Sequence, residues 1–249
     1  MKPCRLFDFS SKILPYESVW RWQKLIAERI YLRKKIGQKC ADELILAQHC
    51  SVYTLGKGGK LDNIMFDKGE TLKNSDVFRV ERGGEVTWHG PGQLVAYPIL
   101  DLNNHKKDLH WLVRTLEHAV IKVLRRFDIK ADRSVINPGV WVGNNKISAI
   151  GISASRWITM HGISLNVDCD MNHYQHIIPC GIADKKYGVC SIKEFVPAIT
   201  IQEVSQSLIN TLSDEFQLEY SNSDLVDLDD LLKSHPDIAM LQLDRVMLS

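Results

Sequence analysis

The sequence lacks the long apolar runs of a membrane-spanning protein. Its 249 residues are 45% hydrophobic and 24% charged, and no run approaches the roughly 18 consecutive apolar residues that indicate a transmembrane helix. The first twenty residues include Asp8 and Glu17 and contain no apolar core like that of a signal peptide. We therefore expect a cytoplasmic protein that does not bind membranes, or one of the plastid stroma or mitochondrial matrix if a presequence has been removed.

Charge of one sign and paired cysteines are also scarce. The formal net charge is +1, so no bulk electrostatic attraction favours nucleic acid as a partner. The six cysteines are scattered along the chain rather than spaced as a framework of pairs. Such a distribution is typical of free thiols in a reducing compartment. The composition therefore argues against a nucleic-acid-binding domain and against a secreted disulfide scaffold.

Three amphipathic helices are predicted from apolar residues that recur at helical spacing. The first covers residues 16–36, and the second follows the capping residue Asp108 and reaches about Phe127. The third begins at Thr200, which forms a T-x-x-E capping box with Glu203.

Strands are predicted over residues 76–81 and 93–100 and within 139–167, where "GNN" between two β-rich runs indicates a hairpin. The chain contains no internal repeat and no linker. The simplest organisation is one α+β domain over residues 1–220. Residues 221–249 hold six aspartates against two basic residues, and we interpret them as an acidic appendage of that domain.

Glycines and a proline crowd the segment "RGGEVTWHGPGQ", residues 82–93. Glycine in a strand weakens it, but it allows positive φ and close approach of a ligand to the backbone. The segment is therefore either a pair of tight turns or a ligand-binding wall with Arg82 and His89 as its polar groups. Neither it nor the earlier "LGKGGK" has the order of a Walker loop or of a Rossmann fingerprint.

Cys180 stands between Pro179 and Gly181 in "HIIPCGIADK". The sequence alone leaves three interpretations open: a nucleophile, a small apolar residue at a turn, or a metal ligand. The metal interpretation would use the spacing His173-x-x-His176-x-x-x-Cys180, but no paired C-x-x-C or H-E-x-x-H pattern supports it.

A nucleophilic cysteine would need a neighbouring base or cation, because a free thiol is mostly protonated at neutral pH. Histidine is the usual partner, and His161, His173 and His176 lie near in sequence. Lys146 is a further candidate because it opens the β-rich run "KISAIGIS", where a lysine is unusual. The alternative for Lys146 is a lysine that protects the edge of a sheet.

Four segments together resemble one family, the octanoyltransferases of lipoate biosynthesis. In order and spacing they are "RGGEVTWHGPGQLVAYPI", "GVWVGNNKISAIGI", "MHGISLNV" and "IIPCGI". The resemblance covers roughly residues 5–195. It implies the α/β fold shared with biotin and lipoate protein ligases, in which helices pack on a mixed β-sheet.

The resemblance implies an acyl transfer in two steps. Octanoyl-acyl carrier protein would donate the acyl group to an enzyme cysteine. Lipoyl domains of 2-oxoacid dehydrogenase complexes and the glycine cleavage H protein would then accept it on a lysine. No cofactor, metal or nucleotide is implied, because the thioester donor is already activated.

The family motifs also imply a role for individual residues. Cys180 would be the nucleophile and Lys146 its general acid and base. The segments that contact substrate would be Arg82, Gly83, Gly84, Glu85, Val86, Thr87, Trp88 and His89; Ala149, Ile150 and Gly151; and Gly162, Ile163 and Ser164.

Elementary electrostatics agrees with this pair. An ammonium at about 4 Å attracts a thiolate by about 4 kcal/mol at an effective dielectric of about 20, and desolvation offsets part of that. Lys146 could then protonate the departing thiol and later deprotonate the incoming amine. We expect backbone amides near Cys180 and within 162–164 to act as oxyanion donors.

The chain departs from the family pattern at three places. His49-Cys50-Ser51 replaces His-Pro-Pro, Ser164 stands where alanine is frequent, and Trp88 stands where tyrosine or phenylalanine is usual. Because its side chain is larger, Trp88 is expected to narrow the acyl slot.

Two other functions compete with this one. An ATP-dependent lipoate or biotin ligase on the same fold would need no cysteine, and a non-catalytic module could bind a carrier protein.

Lys185 and Lys186, which follow the nucleophile closely, are expected to contact an acidic carrier domain.

Overall fold

A computed structural model describes residues 1–65, 76–182 and 184–222. Within these ranges there are three α-helices, α1 (Tyr16–Lys35), α2 (Leu109–Arg126) and α3 (Ile201–Phe216). The strands are β1 (Lys2–Leu14), β2 (Asp42–His49), β3 (Val52–Leu55), β4 (Asp76–Arg79), β5 (Val86–His89), β6 (Gln93–Ile99), β7 (Asp132–Arg133), β8 (Gly139–Val142), β9 (Asn145–Ser155), β10 (Ile158–Asn166), β11 (Gly188–Val189) and β12 (Leu218–Asn222).

Nine of these strands form one mixed sheet in the order β12-β1-β2-β6-β10-β9-β8-β7, with β11 beside β9. The pairs β1/β12, β1/β2 and β9/β11 are parallel, and the others in this sheet are antiparallel. A smaller sheet has the order β4-β3-β5. The expected fold class, a mixed β-sheet flanked by helices, is therefore confirmed.

Helices cover both faces of the large sheet because its central strands alternate apolar side chains between the faces. Leu44 and Leu46 of β2 pack with α2 and α3 in one core cluster. Ile45 and Ala47, on the opposite face, pack with α1 in a second cluster. Trp22 of α1 is 1% exposed in this second cluster.

The predicted helix starts are confirmed. The Asp108 carboxylate accepts a hydrogen bond from the Trp111 amide at 3.0 Å. The Thr200 hydroxyl accepts from the Glu203 amide at 3.3 Å, and the Glu203 carboxylate accepts from the Thr200 amide at 3.0 Å. These bonds satisfy amides that have no partner within their own helix.

The hairpin at "GNN" is also confirmed, since β8 and β9 are antiparallel neighbours. Seven of the twelve described strands were not predicted: β1, β2, β3, β5, β7, β11 and β12. Of these, β5 lies inside the glycine-rich segment 82–93 and pairs with β3.

The acidic appendage falls mostly outside the described residues. Its first two positions belong to β12, and residues 223–249 are not described, so the division at residue 220 stays a prediction. None of the described helices is long and apolar enough to cross a membrane. All six cysteines are within the described ranges and are free thiols, as expected.

Candidate active site

Cys180 is the middle residue of a one-turn 3₁₀ helix, Pro179–Gly181. Its φ is 56° and its ψ is 22°, a left-handed conformation that is uncommon for residues other than glycine and that recurs at functional turns. Gly181 follows with φ of 71°. A Cβ at Gly181 would lie 3.0 Å from Cγ of Glu85, so both the turn and the space favour glycine.

Lys146 lies inside the large sheet rather than at its edge. Its neighbours across the strands are Trp141 of β8 and Val189 of β11, and it is 5% exposed. The alternative of an edge-strand lysine is therefore wrong, because short β11 covers the side of β9 that the hairpin leaves open. A buried ammonium needs partners for its protons.

Those partners include the thiol. Nζ of Lys146 lies 3.3 Å from Sγ of Cys180 and donates to the carbonyl of Pro138 at 2.9 Å and to Oδ1 of Asn137. An ammonium has three protons, so these three acceptors satisfy it completely. The Trp141 ring centroid, 5.3 Å from Nζ, adds a cation–π contact.

Asn137 links Lys146 to Cys180 and was not found from the sequence. Its Oδ1 accepts from Nζ of Lys146, and its Nδ2 donates to the carbonyl of Cys180 at 3.2 Å. The signal available was the turn-forming triplet Asn-Pro-Gly just before β8, but a turn signal does not show where the amide points.

The segment that carries Asn137 is fixed by α2. Glu117, which is buried, accepts a hydrogen bond from the Gly139 amide at 3.1 Å. Glu117 also forms 2.9 Å ion pairs with Arg114 and Arg133. A Cβ at Gly139 would lie 2.9 Å from Cε of Lys146, so this glycine leaves room for the lysine side chain.

Lys146 and Cys180 line a cavity of about 630 Å³. All the predicted site residues except Trp88 line this cavity, namely residues 82–87, 89, 146, 149–151, 162–164 and 180. Val95 and Ile152 add to its apolar wall. The structure thus brings four separate sequence motifs to one space.

Strand register explains why two of these motifs meet. In the β9/β10 pair, Gly162 lies opposite Gly151, and Ser164 lies opposite Ala149. A Cβ at Gly162 would come within 2.2 Å of the Ala96 carbonyl, and one at Gly151 within 2.9 Å of Cδ of Arg82. Glycine at these positions therefore lets β6 and the 82–85 turn approach closely.

Trp88 faces away from the cavity. It is fully buried in the cluster that contains Tyr53 and Tyr174, its Nε1 donates to Oγ of Ser51 at 2.9 Å, and its ring stacks on His173 with centroids 4.6 Å apart. The expectation that Trp88 narrows the acyl slot is therefore wrong: its indole is held on the other side of β5.

Arg82 is buried and stabilises the glycine-rich turn through hydrogen bonds to backbone carbonyls. Its Nη2 donates to the Thr54 carbonyl at 2.7 Å and to the Glu85 carbonyl at 2.9 Å, and burial lowers its pKa. Because Nη2 already donates to the protein backbone, Arg82 stabilises the shape of the cavity wall.

Three polar aromatic residues that the family motifs did not assign to substrate contact also line the cavity: Tyr16, Tyr97 and His161. The ring of Tyr16 stacks on that of His89, with centroids 5.7 Å apart. Burial, followed by the nearby His49, lowers the pKa of His89 to about 3, so this imidazole is neutral at physiological pH.

The histidines proposed as partners of Cys180 have other contacts. Nε2 of His161 lies 3.5 Å from Oε2 of Glu81, and His173 stacks on Trp88. No cluster of three His, Cys, Asp or Glu side chains within the described ranges could hold a metal ion, so the geometry does not support a metal site at His173, His176 and Cys180.

Two amides expected to stabilise an oxyanion are already paired. The Gly181 amide donates to the Ile178 carbonyl at 3.1 Å, and the Ile182 amide donates to the Pro179 carbonyl at 3.1 Å. These bonds hold the turn, so the amides that directly follow Cys180 do not face an acyl oxygen in this conformation.

The fold and the site place the chain in a known class. Residues 16–213 match the lipoyl protein ligase A/B catalytic domain. In fold it is similar to a bipartite lipoate protein ligase from Thermoplasma acidophilum, with a TM-score of 0.72, 17% identity and coverage of 96% of this chain and 93% of that one.

Closer relatives in sequence are octanoyltransferases. The chain is 44% identical to the chloroplastic octanoyltransferase LIP2p2 of Arabidopsis thaliana over 88% of this chain and 80% of that protein. It is also 44% identical to an octanoyltransferase of a Nostoc species over 86% of this chain and 94% of that protein. The chain therefore belongs to the octanoyltransferases of the lipoyl protein ligase A/B family.

Proposed function

We propose that this octanoyltransferase carries its acyl group as a thioester on Cys180 and uses Lys146 for both proton transfers. The donor is octanoyl-acyl carrier protein, and the acceptors are lipoyl domains of 2-oxoacid dehydrogenase complexes and the glycine cleavage H protein. One observation supports this above all others: Nζ of Lys146 lies 3.3 Å from Sγ of Cys180 where both line the 630 Å³ cavity.

The first half-reaction begins with the ion pair. The ammonium of Lys146 stabilises the Cys180 thiolate, which attacks the carbonyl carbon of the donor thioester. A carbon–sulfur bond to Cys180 forms as the bond to the carrier sulfur breaks. The departing thiolate takes a proton from Lys146, which becomes a neutral amine.

The second half-reaction reverses the proton transfer. The lysine amine of the acceptor attacks the acyl carbon, and neutral Lys146 takes the proton that the amine loses. The bond to Cys180 breaks, and the thiolate again faces an ammonium. Oδ1 of Asn137 and the Pro138 carbonyl accept hydrogen bonds from two of the N–H groups of Lys146 throughout, so the exchanged proton is the one directed at Cys180.

The cavity wall suits an aliphatic chain. Val86, Val95, Ile150, Ile152 and Ile163 all contribute to it, and burial of each methylene group contributes about 0.8 kcal/mol. The carbonyl end of the chain would lie at Cys180, and the methyl end would lie within the cavity.

The test is intact-mass spectrometry after mixing the protein with octanoyl-acyl carrier protein in the absence of ATP. We expect one added octanoyl group that hydroxylamine removes. Cys180→Ser should remain folded and form no hydroxylamine-labile adduct, whereas Cys50→Ser, a change at an exposed thiol, should behave as the wild type. Full turnover by Cys180→Ser would contradict the mechanism.

The same experiment separates the competing functions. An adduct that requires ATP and free octanoate would indicate a ligase that forms an acyl-adenylate. Carrier binding without any adduct would indicate a non-catalytic module.

The free thiols and the relatives indicate the cellular compartment. Free cysteines agree with a reducing compartment, and the relatives include cyanobacterial proteins and one named as chloroplastic. We place the reaction in the cytoplasm, with the plastid stroma as the alternative.

A further inference from the structure

A second cavity, of about 220 Å³, also reaches the reacting pair. It shares Lys146, Cys180, Ile182 and Tyr187 with the larger cavity. The rest of its wall is different and consists of Trp141, Tyr174, Gln175, Pro179, Gly188 and Val189. The thiol and the ammonium are therefore accessible from two spaces, of which the acyl chain needs only one.

Acyl transfer at a thioester needs space beside the carbonyl carbon for the group that leaves or attacks. The carbonyl carbon on Cys180 is bonded to sulfur, oxygen and the acyl chain in one plane. A thiol that leaves this carbon, or a nucleophile that attacks it, must lie outside that plane. When the larger cavity holds the acyl chain, the smaller cavity remains open to the reacting carbon and to Nζ of Lys146.

Trp141, one of the residues in the wall of the smaller cavity, carries an unused hydrogen-bond donor. Trp141 is 4% exposed, and its Nε1 has no hydrogen-bond partner in the part of the chain that the structure describes. Its ring packs edge-on against Tyr187, with centroids 5.9 Å apart. A buried N–H without an acceptor is unfavourable, so this site favours a ligand that supplies a carbonyl oxygen.

We propose that the smaller cavity binds the amide-bearing arm on which the acyl donor carries its thioester, with Nε1 of Trp141 donating to an amide carbonyl of that arm. The apolar and aromatic wall suits a thin aliphatic arm, and the unpartnered indole N–H of Trp141 suits its amide. An acceptor lysine side chain fits less well, because its methylene groups and amine offer the indole no carbonyl. The inference rests on the proposed function.

The test compares two small donors in acylation of Cys180. Octanoyl-pantetheine carries the amides, and S-octanoyl-ethanethiol carries the same thioester without them. The measured quantity is the ratio of the two second-order acylation rates, from rapid-quench mass spectrometry. A loss of acylation rate that is equal for both donors, such as one caused by a displaced Lys146, cancels in this ratio.

Trp141→Phe keeps an aromatic ring and removes the N–H. We expect it to lower the ratio by about fivefold, the effect of one lost neutral hydrogen bond. The matched control is Trp157→Phe, at the exposed turn between β9 and β10, which should leave the ratio unchanged.

Gln175→Trp fills the cavity from an exposed position without altering the core. It should also lower the ratio, because the larger side chain excludes the long arm of octanoyl-pantetheine and leaves room for S-octanoyl-ethanethiol. Gln206→Trp, at an exposed position of α3, is its control.

An unchanged ratio in both cavity variants would overturn the proposal. The proposal would also be overturned if the cavity variants left the ratio unchanged and slowed transfer from the octanoyl-enzyme to an N-acetyl-lysine amide. The cavity would then bind the acceptor. Failure of the wild type to form an adduct with either donor would overturn the proposed function itself, and the arm site with it.

Discussion

The two residues of the proposed catalytic pair, Lys146 and Cys180, are held in opposite ways. Lys146 is the second residue of β9, buried between β8 and β11. Cys180 is on a single turn with left-handed backbone. The sheet therefore fixes the ammonium in position, and the turn directs the thiol toward it.

Each side also has its own anchor. The lysine side is fixed through the 137–139 segment, which Glu117 of α2 holds at the Gly139 amide. The cysteine side is fixed by the Ile178 amide, which donates to the Asn63 carbonyl at 2.8 Å. Only the Asn137 side chain, among the contacts described here, bonds to both residues. We therefore predict that substitutions on the lysine side affect proton transfer and that substitutions in the turn affect the direction of the thiol.

The largest effect is expected for Lys146→Met, which keeps the length of the side chain and removes its charge. Loss of a general acid and base lowers the rate by about a hundredfold to ten-thousandfold. It should also slow alkylation of Cys180 by iodoacetamide at neutral pH, because the thiolate loses its cation. Lys39→Met, at an exposed lysine, is the control, and unchanged alkylation in Lys146→Met would contradict the ion pair.

A smaller effect is expected for Asn137→Ala, which removes the link between the two sides. Loss of one acceptor for the ammonium and one donor to the Cys180 carbonyl should lower kcat by about tenfold to a hundredfold, or 1.4 to 2.7 kcal/mol in the transition state. As a positioning residue, Asn137 should change kcat and the pH profile of the rate and leave KM for the donor unaltered. A pure increase in KM would assign it to substrate binding instead.

Two glycines with similar positive φ test the turn alone. Gly181 and Gly37 have φ of 71° and 75°, so alanine at either costs about 1 to 2 kcal/mol of unfolding free energy. A Cβ at Gly37 has nothing within 4 Å, whereas one at Gly181 meets Glu85 at 3.0 Å.

We therefore expect similar losses in urea stability for Gly37→Ala and Gly181→Ala, but a loss of acylation rate only for the second. Equal acylation rates in both variants would show that the turn tolerates displacement and that its conformation does not direct the thiol.

Regular parts of the fold could be predicted from the sequence. The family motifs also pointed to Cys180 and Lys146, which the structure places 3.3 Å apart. Helix periodicity and capping are local patterns, and α2 and α3 begin as predicted. β1 was missed because its pairing with β2 shifts between Phe9 and Ile13, which breaks the alternation on which strand prediction depends. β5 was missed because the surrounding glycines indicate turns.

From the sequence, only the site residues that lie within the family motifs could be predicted. Strand register decided that Trp88 turns away from the cavity, and the position of an irregular segment decided that Asn137 joins Lys146 to Cys180. Neither is a local property of the sequence. The aromatic end of the cavity, with Tyr16 from α1 and Tyr97 from β6, likewise depends on how distant elements pack.

The smallest effect is expected outside the cavity, on the chain that continues from the cysteine turn. Lys185 and Lys186 are exposed, and Lys186 pairs with Asp184 at 2.9 Å. If they contact an acidic carrier domain, Lys185→Gln with Lys186→Gln should raise KM for the carrier by about twofold to fivefold at low salt, because exposed pairs contribute about 0.2 to 1 kcal/mol. The effect should disappear at high ionic strength, where such charges are screened, and it should be absent with octanoyl-pantetheine, which has no carrier domain. Because the turn itself is unaltered, kcat should stay constant; a fall in kcat, or a KM that does not respond to salt, would show that these lysines act on the turn and do not bind the partner.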